Sequence, residues 1–80
     1  MAKQVDLSNL PRHKTGLIKA IKLNNILEER LHKFGFIKGV KVRLIKASPF
    51  GSPKIYILLN TFVSLRDKIA ERILVEVIDD

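Results

Sequence analysis

Val40-Lys41-Val42-Arg43-Leu44, then Ser48-Pro49-Phe50-Gly51-Ser52-Pro53, then Lys54-Ile55-Tyr56-Ile57-Leu58-Leu59: this run decides the fold. The first segment alternates strictly, so a strand here turns Val40, Val42 and Leu44 toward a core and Lys41 and Arg43 toward water. The second is dense in turn formers, and its two prolines push their neighbours out of helical geometry and remove amide donors, which suits the connection of a hairpin. The third is the returning strand, with Ile55, Ile57 and Leu59 on one side and Tyr56 and Leu58 on the other. Apolar residues on both faces predict an interior strand covered on two sides.

Downstream, Asn60-Thr61 reads as the next turn, because Asn tolerates positive φ, and Phe62-Val63 opens a third strand of the meander. Ser64-Leu65-Arg66-Asp67 carries a capping signature that predicts one helical turn through about Ala70. Arg72 to Ile78 then forms a last strand with Ile73, Val75 and Val77 on one face. Upstream, Gly16 to Lys22 is a strand by its aliphatic and β-branched content. Asn25-Ile26-Leu27-Glu28 has capping-box spacing, with Asn25 accepting an early amide and Glu28 reaching back. The helix it starts buries Leu27, Leu31 and Phe34 on one stripe and stops at Gly35, which suits a left-handed residue. Five short strands, one inserted short helix and one helical turn make a mainly β chain. That order fits a small SH3-like five-stranded β-barrel, closed or half-closed, since closure hides sheet edges. A ferredoxin-like α+β sandwich is the alternative.

At 80 residues and 9.1 kDa, residues 1–80 are expected to form a single domain, because a chain this short buries only roughly 60–65% of its extended surface and has no room for a second core. It has no cysteine, hence no disulfide framework, thiolate metal cage or thiol nucleophile. Its longest apolar run, Ile55 to Leu59, is far short of a membrane span, and Met1 to Leu10 lacks the apolar core of a signal peptide, so the cytoplasm is the expected compartment. The formal net charge is +7, unevenly spread. Lys38, Lys41, Arg43, Lys46 and Lys54 occupy residues 38–54 without an acid, whereas the C-terminal end carries Asp67, Glu71, Glu76, Asp79 and Asp80. A basic face concentrates acidic partners, whether nucleic acid, an anionic membrane or an acidic protein.

No catalytic constellation can be assembled. His13 and His32 have no ligand partners at metal spacing, and Glu28 and Glu29 point about 100° apart on a helix. Ser8, Ser48, Ser52 and Ser64 lie in caps or turns where hydroxyls serve the backbone. Gly35-Phe36-Ile37-Lys38-Gly39 lacks the Lys-Ser/Thr of a phosphate loop. The chain is therefore expected to be no enzyme and to hold no cofactor or metal. Tyr56 and Phe62 are the candidates for stacking bases, so a nucleic-acid-binding barrel rests mainly on charge.

Three motifs, in order, resemble one family. Phe34-Gly35-Phe36-Ile37-Lys38-Gly39-Val40-Lys41-Val42 looks like the Leu-Gly-hydrophobic-x-x-Gly-x-x-Val stretch of the ferrous-iron transport protein A (FeoA) family. Pro49-Phe50-Gly51-Ser52-Pro53 resembles its Pro-Phe/Leu-Gly-Asp-Pro loop, and Val63-Ser64-Leu65-Arg66 its hydrophobic-Ser-Leu-Arg segment. Leu7-x-x-Leu10-Pro11 followed by Gly16 is similar to the family's start, so the resemblance covers nearly the whole chain. It implies a cytosolic SH3-like accessory of FeoB, the membrane iron transporter with a cytosolic GTP-binding domain, acting by protein–protein contact; the basic residues would add attraction to an anionic membrane surface beside it. A related domain ends metal-dependent repressors, which keeps a stand-alone metal- or ligand-sensing role as an alternative. The chain departs from the pattern at Arg12-His13, where many members have Gly, at Ser52 in place of the loop Asp, and at Asn60-Thr61 in place of a Gly. Ser52 removes a carboxylate that metal contact by this loop would need.

Pro49, Phe50, Gly51, Ser52 and Pro53, with Lys41, Arg43, Leu65 and Arg66, are accordingly the expected partner-binding residues. Phe50, at the tip of a proline-bounded hairpin, either folds back over Tyr56 or offers an aromatic anchor. The Arg66 fork can bind a carboxylate across an interface, and Ser64 and Leu65 also meet the needs of a strand-to-turn junction.

Overall fold

A computed structural model describes residues 3–78. Met1, from which the leader reading starts, and Asp79 and Asp80 of the acidic end lie outside the described residues. In chain order the elements are β1 (Lys3–Asp6), a 3-10 turn (Leu7–Asn9), β2 (Thr15–Ile21), α1 (Asn25–Lys33), β3 (Lys41–Ala47), β4 (Lys54–Leu58), β5 (Thr61–Leu65), α2 (Asp67–Ala70) and β6 (Ile73–Ile78). The described strands form one six-stranded sheet, ordered β1-β6-β2-β3-β4-β5 and antiparallel at every pairing.

The meander β3-β4-β5 follows the alternating pattern. Val42 and Leu44 are buried with Tyr56, Leu58, Val63 and Leu65, while Lys41 and Arg43 are exposed. An extra residue interrupts the β3–β4 register between Leu44 and Lys46, and another the β2–β6 register between Ile18 and Ala20. Such bulges increase the twist, which lets a short sheet wrap its inner face around one core. Ile18, Phe36, Ile73 and Val75 lie at the centre of that core, and Leu7 and Leu10 plug it from the N-terminal side.

Several expectations are corrected. The sheet has six strands rather than five. Lys3-Gln4-Val5-Asp6 shows no alternation by which to recognise it and becomes a strand only by pairing with β6. Of the two forms expected, closed or half-closed, the closed one is not formed, because β1 and β5 end the sheet. β4 is interior, but its outer face is uncovered and leaves Ile55 exposed. The helix cap is Asn24, not Asn25: its Oδ1 accepts the Leu27 amide at 3.0 Å. Glu28 instead faces His32 one turn on, 3.6 Å away. The turn after β4 is Leu59-Asn60, with φ of 51° and 60°, the two-residue geometry that matches strand twist; Thr61 already belongs to β5.

The end of α1 shows why Phe34 is exposed and Phe36 buried. The Phe36 amide donates to Leu31 O at 2.9 Å and the Gly35 amide to His32 O at 3.0 Å, a Schellman closure in which Gly35 takes φ +99°. That turn swings the chain inward so that Phe36 packs near Leu31, displacing Phe34 from the stripe that helical spacing assigns it. A Cβ on Gly35 would meet Leu59 Cδ1 at 2.8 Å. Gly35→Ala therefore combines a left-handed backbone with a clash and is expected to cost more than about 1 kcal/mol, lowering the thermal midpoint by at least about 4 °C in a calorimetric scan.

Candidate partner-binding site

Between β3 and β4 the loop from Ser48 to Pro53 closes on itself. The Ser48 amide donates to Pro53 O at 3.2 Å and the Gly51 amide to Ser48 O at 2.9 Å. Gly51 sits at φ +87°, and the Ser52–Pro53 peptide is cis. The loop base is tied to two other segments. Ser52 Oγ accepts the Asp67 amide at 3.1 Å and so supplies the side-chain cap that Arg66, in the N-cap position of α2, does not. Lys54 donates to Ser8 O at 2.8 Å and lies 3.3 Å from Asp67 Oδ1.

Beneath this base, Tyr56 is fully buried and its hydroxyl donates to Leu7 O at 3.3 Å. Burial first, then the carboxylates of Asp67 and Asp6, push its phenol well above the ordinary range. A buried Tyr56 cannot stack a base, and Phe50 does not fold over it. Phe50 is 96% exposed at the loop tip.

The expected site residues are only partly brought together. The stretch from Pro49 to Pro53 forms one projection, and Ser52 links it to the start of α2, beside exposed Arg66. Leu65 is a correction. It is 8% exposed and packs in the core, because its position in β5 points to the inner face, so it has no surface to offer a partner. Lys41 is exposed but begins β3, six residues from Ala47 at the loop end of the strand, about 20 Å away at strand rise. Arg43 lies between, its guanidinium 3.5 Å from His13 O.

A pocket of about 260 Å³ adjoins the loop, lined by Lys46, Ala47, Ser48, Pro49, Pro53, Ile55 and Ser64. Its walls are mostly apolar, and Ser48 Oγ is buried there without a hydrogen-bond partner. Of these, Pro49 and Pro53 belong to the expected partner-binding residues; Lys46, Ala47, Ser48, Ile55 and Ser64 do not, and the signal for them in the sequence is Ile55, an apolar residue on the side of β4 opposite Tyr56. Among the described residues, no group of three or more His, Cys, Asp or Glu side chains is placed to hold a metal ion, and no helix is long and apolar enough to cross a membrane.

The model of the FeoA domain matches residues 5–77. The chain belongs to the FeoA domain family. Among solved structures, the FeoA fold seen here is similar to iron(II) transport protein A from Clostridium thermocellum (TM-score 0.89, 30% identity, 92% of this chain and 46% of that one). It is also similar to FeoA from Stenotrophomonas maltophilia, solved with zinc and put forward as a prokaryotic SH3 domain protein and ferrous iron transport activating factor (TM-score 0.77, 31% identity, 89% and 88% covered). The manganese regulator SloR shares the fold at 16% identity (TM-score 0.78), this chain covering 34% of its length. The chain thus spans about half the length of the Clostridium protein. No curated protein matches significantly. The six-stranded sheet is SH3-like, and the family ties the FeoA domain to ferrous iron transport.

Two measurements probe the loop base of this FeoA domain. Ser52→Ala removes the α2 cap and is expected to cost about 0.5–2 kcal/mol in chemical unfolding. Tyr56 is the chain's one tyrosine, so its ionisation can be followed directly by ultraviolet absorbance. The folded phenol ionises above the unfolded one, so stability is complete below the unfolded pKa of about 10 and falls as pH rises beyond it, by about 1.4 kcal/mol per unit. The tyrosinate band is expected to appear together with unfolding, and Tyr56→Phe to remove that part of the alkaline loss.

Proposed function

We propose that this protein is an accessory or regulator of bacterial or archaeal ferrous-iron uptake, acting by protein–protein contact with the cytosolic domain of a FeoB-type membrane transporter. The observation that carries this reading is Phe50, a large aromatic held 96% exposed at the tip of a loop whose base is fixed by Ser52, Lys54 and Asp67. Interface hot spots favour an aromatic anchor on a pre-organised support, because little side-chain or loop freedom is lost on binding. Family membership supplies the link to ferrous iron transport, and the activating role put forward for the Stenotrophomonas protein agrees with it.

The basic residues give the contact its direction. Lys38, Lys41, Arg43 and Lys46 are exposed with no acid among residues 38–54. At the cytoplasmic face of a membrane each adds about 1 kcal/mol of attraction to an anionic leaflet, recruiting the protein without insertion. The reaction chemistry belongs to the transporter, and this chain acts by contact. Nucleic acid is the weaker reading, since one of the two sheet aromatics that reading needs is buried.

Phe50→Ala is expected to move the thermal midpoint by less than about 4 °C and to weaken binding to the purified cytosolic domain of the transporter roughly thirtyfold by calorimetry. In a cell lacking its own copy, the wild-type chain is expected to restore ferrous-iron uptake and Phe50→Ala to fail. Restoration by Phe50→Ala at wild-type level, or saturable and salt-sensitive binding to nucleic acid with none to the transporter domain, overturns the reading.

A further inference from the structure

The two ends of the sheet are built differently. β1 carries Lys3 and Asp6 on its four residues, the charge by which proteins usually guard an edge. β5, Thr61-Phe62-Val63-Ser64-Leu65, has no charge and no proline, and its register with β4 is uninterrupted. The turn Leu59-Asn60 makes Leu58 and Thr61 the closing hydrogen-bonded pair. By the alternation of antiparallel pairs, the main-chain groups of Phe62 and Ser64 then face away from β4. Among the described residues no backbone hydrogen bond reaches them from another segment. Phe62 is 67% exposed beside them.

The pocket lies next to this edge. Lys46, Ile55 and Ser64 share one cross-strand row on the outer face, Pro49 and Pro53 line the pocket with them, and Ser48 Oγ is buried there without a hydrogen-bond partner. We infer that the free edge of β5 receives an extended acidic segment of a partner protein as a seventh strand, with the side chain facing Ser64 entering the pocket lined by Pro49 and Pro53. This rests on the protein-binding reading above and names the chemistry of the partner there. Main-chain bonds to Phe62 and Ser64 supply affinity, and the pocket and charges supply selection. Charge complementarity fixes the occupant. Arg66 at the end of β5, Lys46 on the pocket rim and Arg43 in the row of Ile57 and Phe62 have no carboxylate partner among the described residues. A second copy would bring its own Arg43, Lys46 and Arg66 against these, on a chain of net charge +7.

The test uses the full isotope-labelled chain and two end-blocked peptide probes, one alternating Glu and Val and the other Lys and Val. The Glu-Val peptide is expected to give saturable shifts centred on residues 61–65 and the Pro49–Pro53 loop, and to slow amide exchange at Phe62 and Ser64 at least about tenfold. The Lys-Val peptide should do neither. Ser64→Pro, which deletes an outward amide, and Phe62→Glu, which repels an acidic strand, are each expected to weaken binding at least about tenfold; the second keeps the test open should the first fail to fold. Equal shifts from both peptides, shifts confined to the lysines, or unaltered exchange at Phe62 and Ser64 overturn the inference. Self-association through those same amides without peptide overturns the choice of occupant. A transporter domain that binds but leaves the two amides unprotected refutes strand pairing while the proposed function stands. Protection by the Glu-Val peptide with no binding of the transporter domain supports strand pairing and refutes the transporter reading.

Discussion

The Lys54 ammonium, placed between Ser8 O and Asp67 Oδ1, is the contact on which the base of the proline loop depends. Lys54 is where the proline loop becomes β4, so its side chain ties that junction to the first 3-10 turn on one side and to the start of α2 on the other. The Lys54 side chain is 16% and the Asp67 side chain 42% exposed, and the desolvation of the two charges offsets much of their attraction. Its effect is geometric, because Ser52 and Tyr56 make the same connections: Ser52 to the Asp67 amide, Tyr56 to Leu7 O. Three side chains from one stretch of chain thus fix a loop base from below while the tip stays free. Phe50 can then stand in water without the loop collapsing over it, and the proposed binding would not have to order the loop first.

What the sequence made legible follows from the range of the forces involved. Alternation at Val40 to Leu44 is a local signature of one buried face, and β3 buries Val42 and Leu44 as it requires. Neighbouring choices decided by contacts elsewhere were not legible. Asn24 and Asn25 are equal as caps by residue type, and the structure selects the one whose carbonyl meets the Leu27 amide. Helical spacing puts Phe34 on the buried stripe, but the left-handed turn at Gly35 sends Phe36 into the core and leaves Phe34 exposed. β1 has no pattern of its own and exists because β6 offers it an edge. At the site, the exposure of Phe50 agreed with its place between prolines, whereas Leu65 was drawn into the partner surface by its motif neighbours although β5 faces it inward. The pocket was invisible because its walls come from β3, the loop, β4 and β5 together.

The same distinction clarifies the charge. A total of +7 suits nucleic acid as well as protein, since net charge governs association and not the identity of what associates. Position separates the two. The sheet aromatic that could have joined the basic residues in a base-stacking surface, Tyr56, faces the core and is held there by its hydroxyl. The fold itself decides nothing here, because the SloR regulator shares it at 16% identity within a longer chain. Function in such folds belongs to the site built on them, and the candidate site proposed for this chain combines an exposed aromatic tip, an apolar pocket and cations without a carboxylate partner among the described residues.

An open sheet sharpens that description. Full closure would satisfy every backbone group and leave no edge, but it would also cover the outer end of β5, where the pocket and Phe62 lie. Bulges in β2 and β3 curl the sheet far enough to enclose Tyr56, Phe36 and Ile18 while stopping short of joining β1 to β5. The two edges left by that compromise carry different risks. β1 guards its own with Lys3 and Asp6, and β5 guards nothing. In a marginally stable domain an unguarded strand edge invites aggregation, and a seventh strand of the kind inferred above would remove that risk by pairing the outward groups of Phe62 and Ser64. The surplus of cations around it limits the danger, because copies of this chain repel one another where an acidic strand would be drawn in.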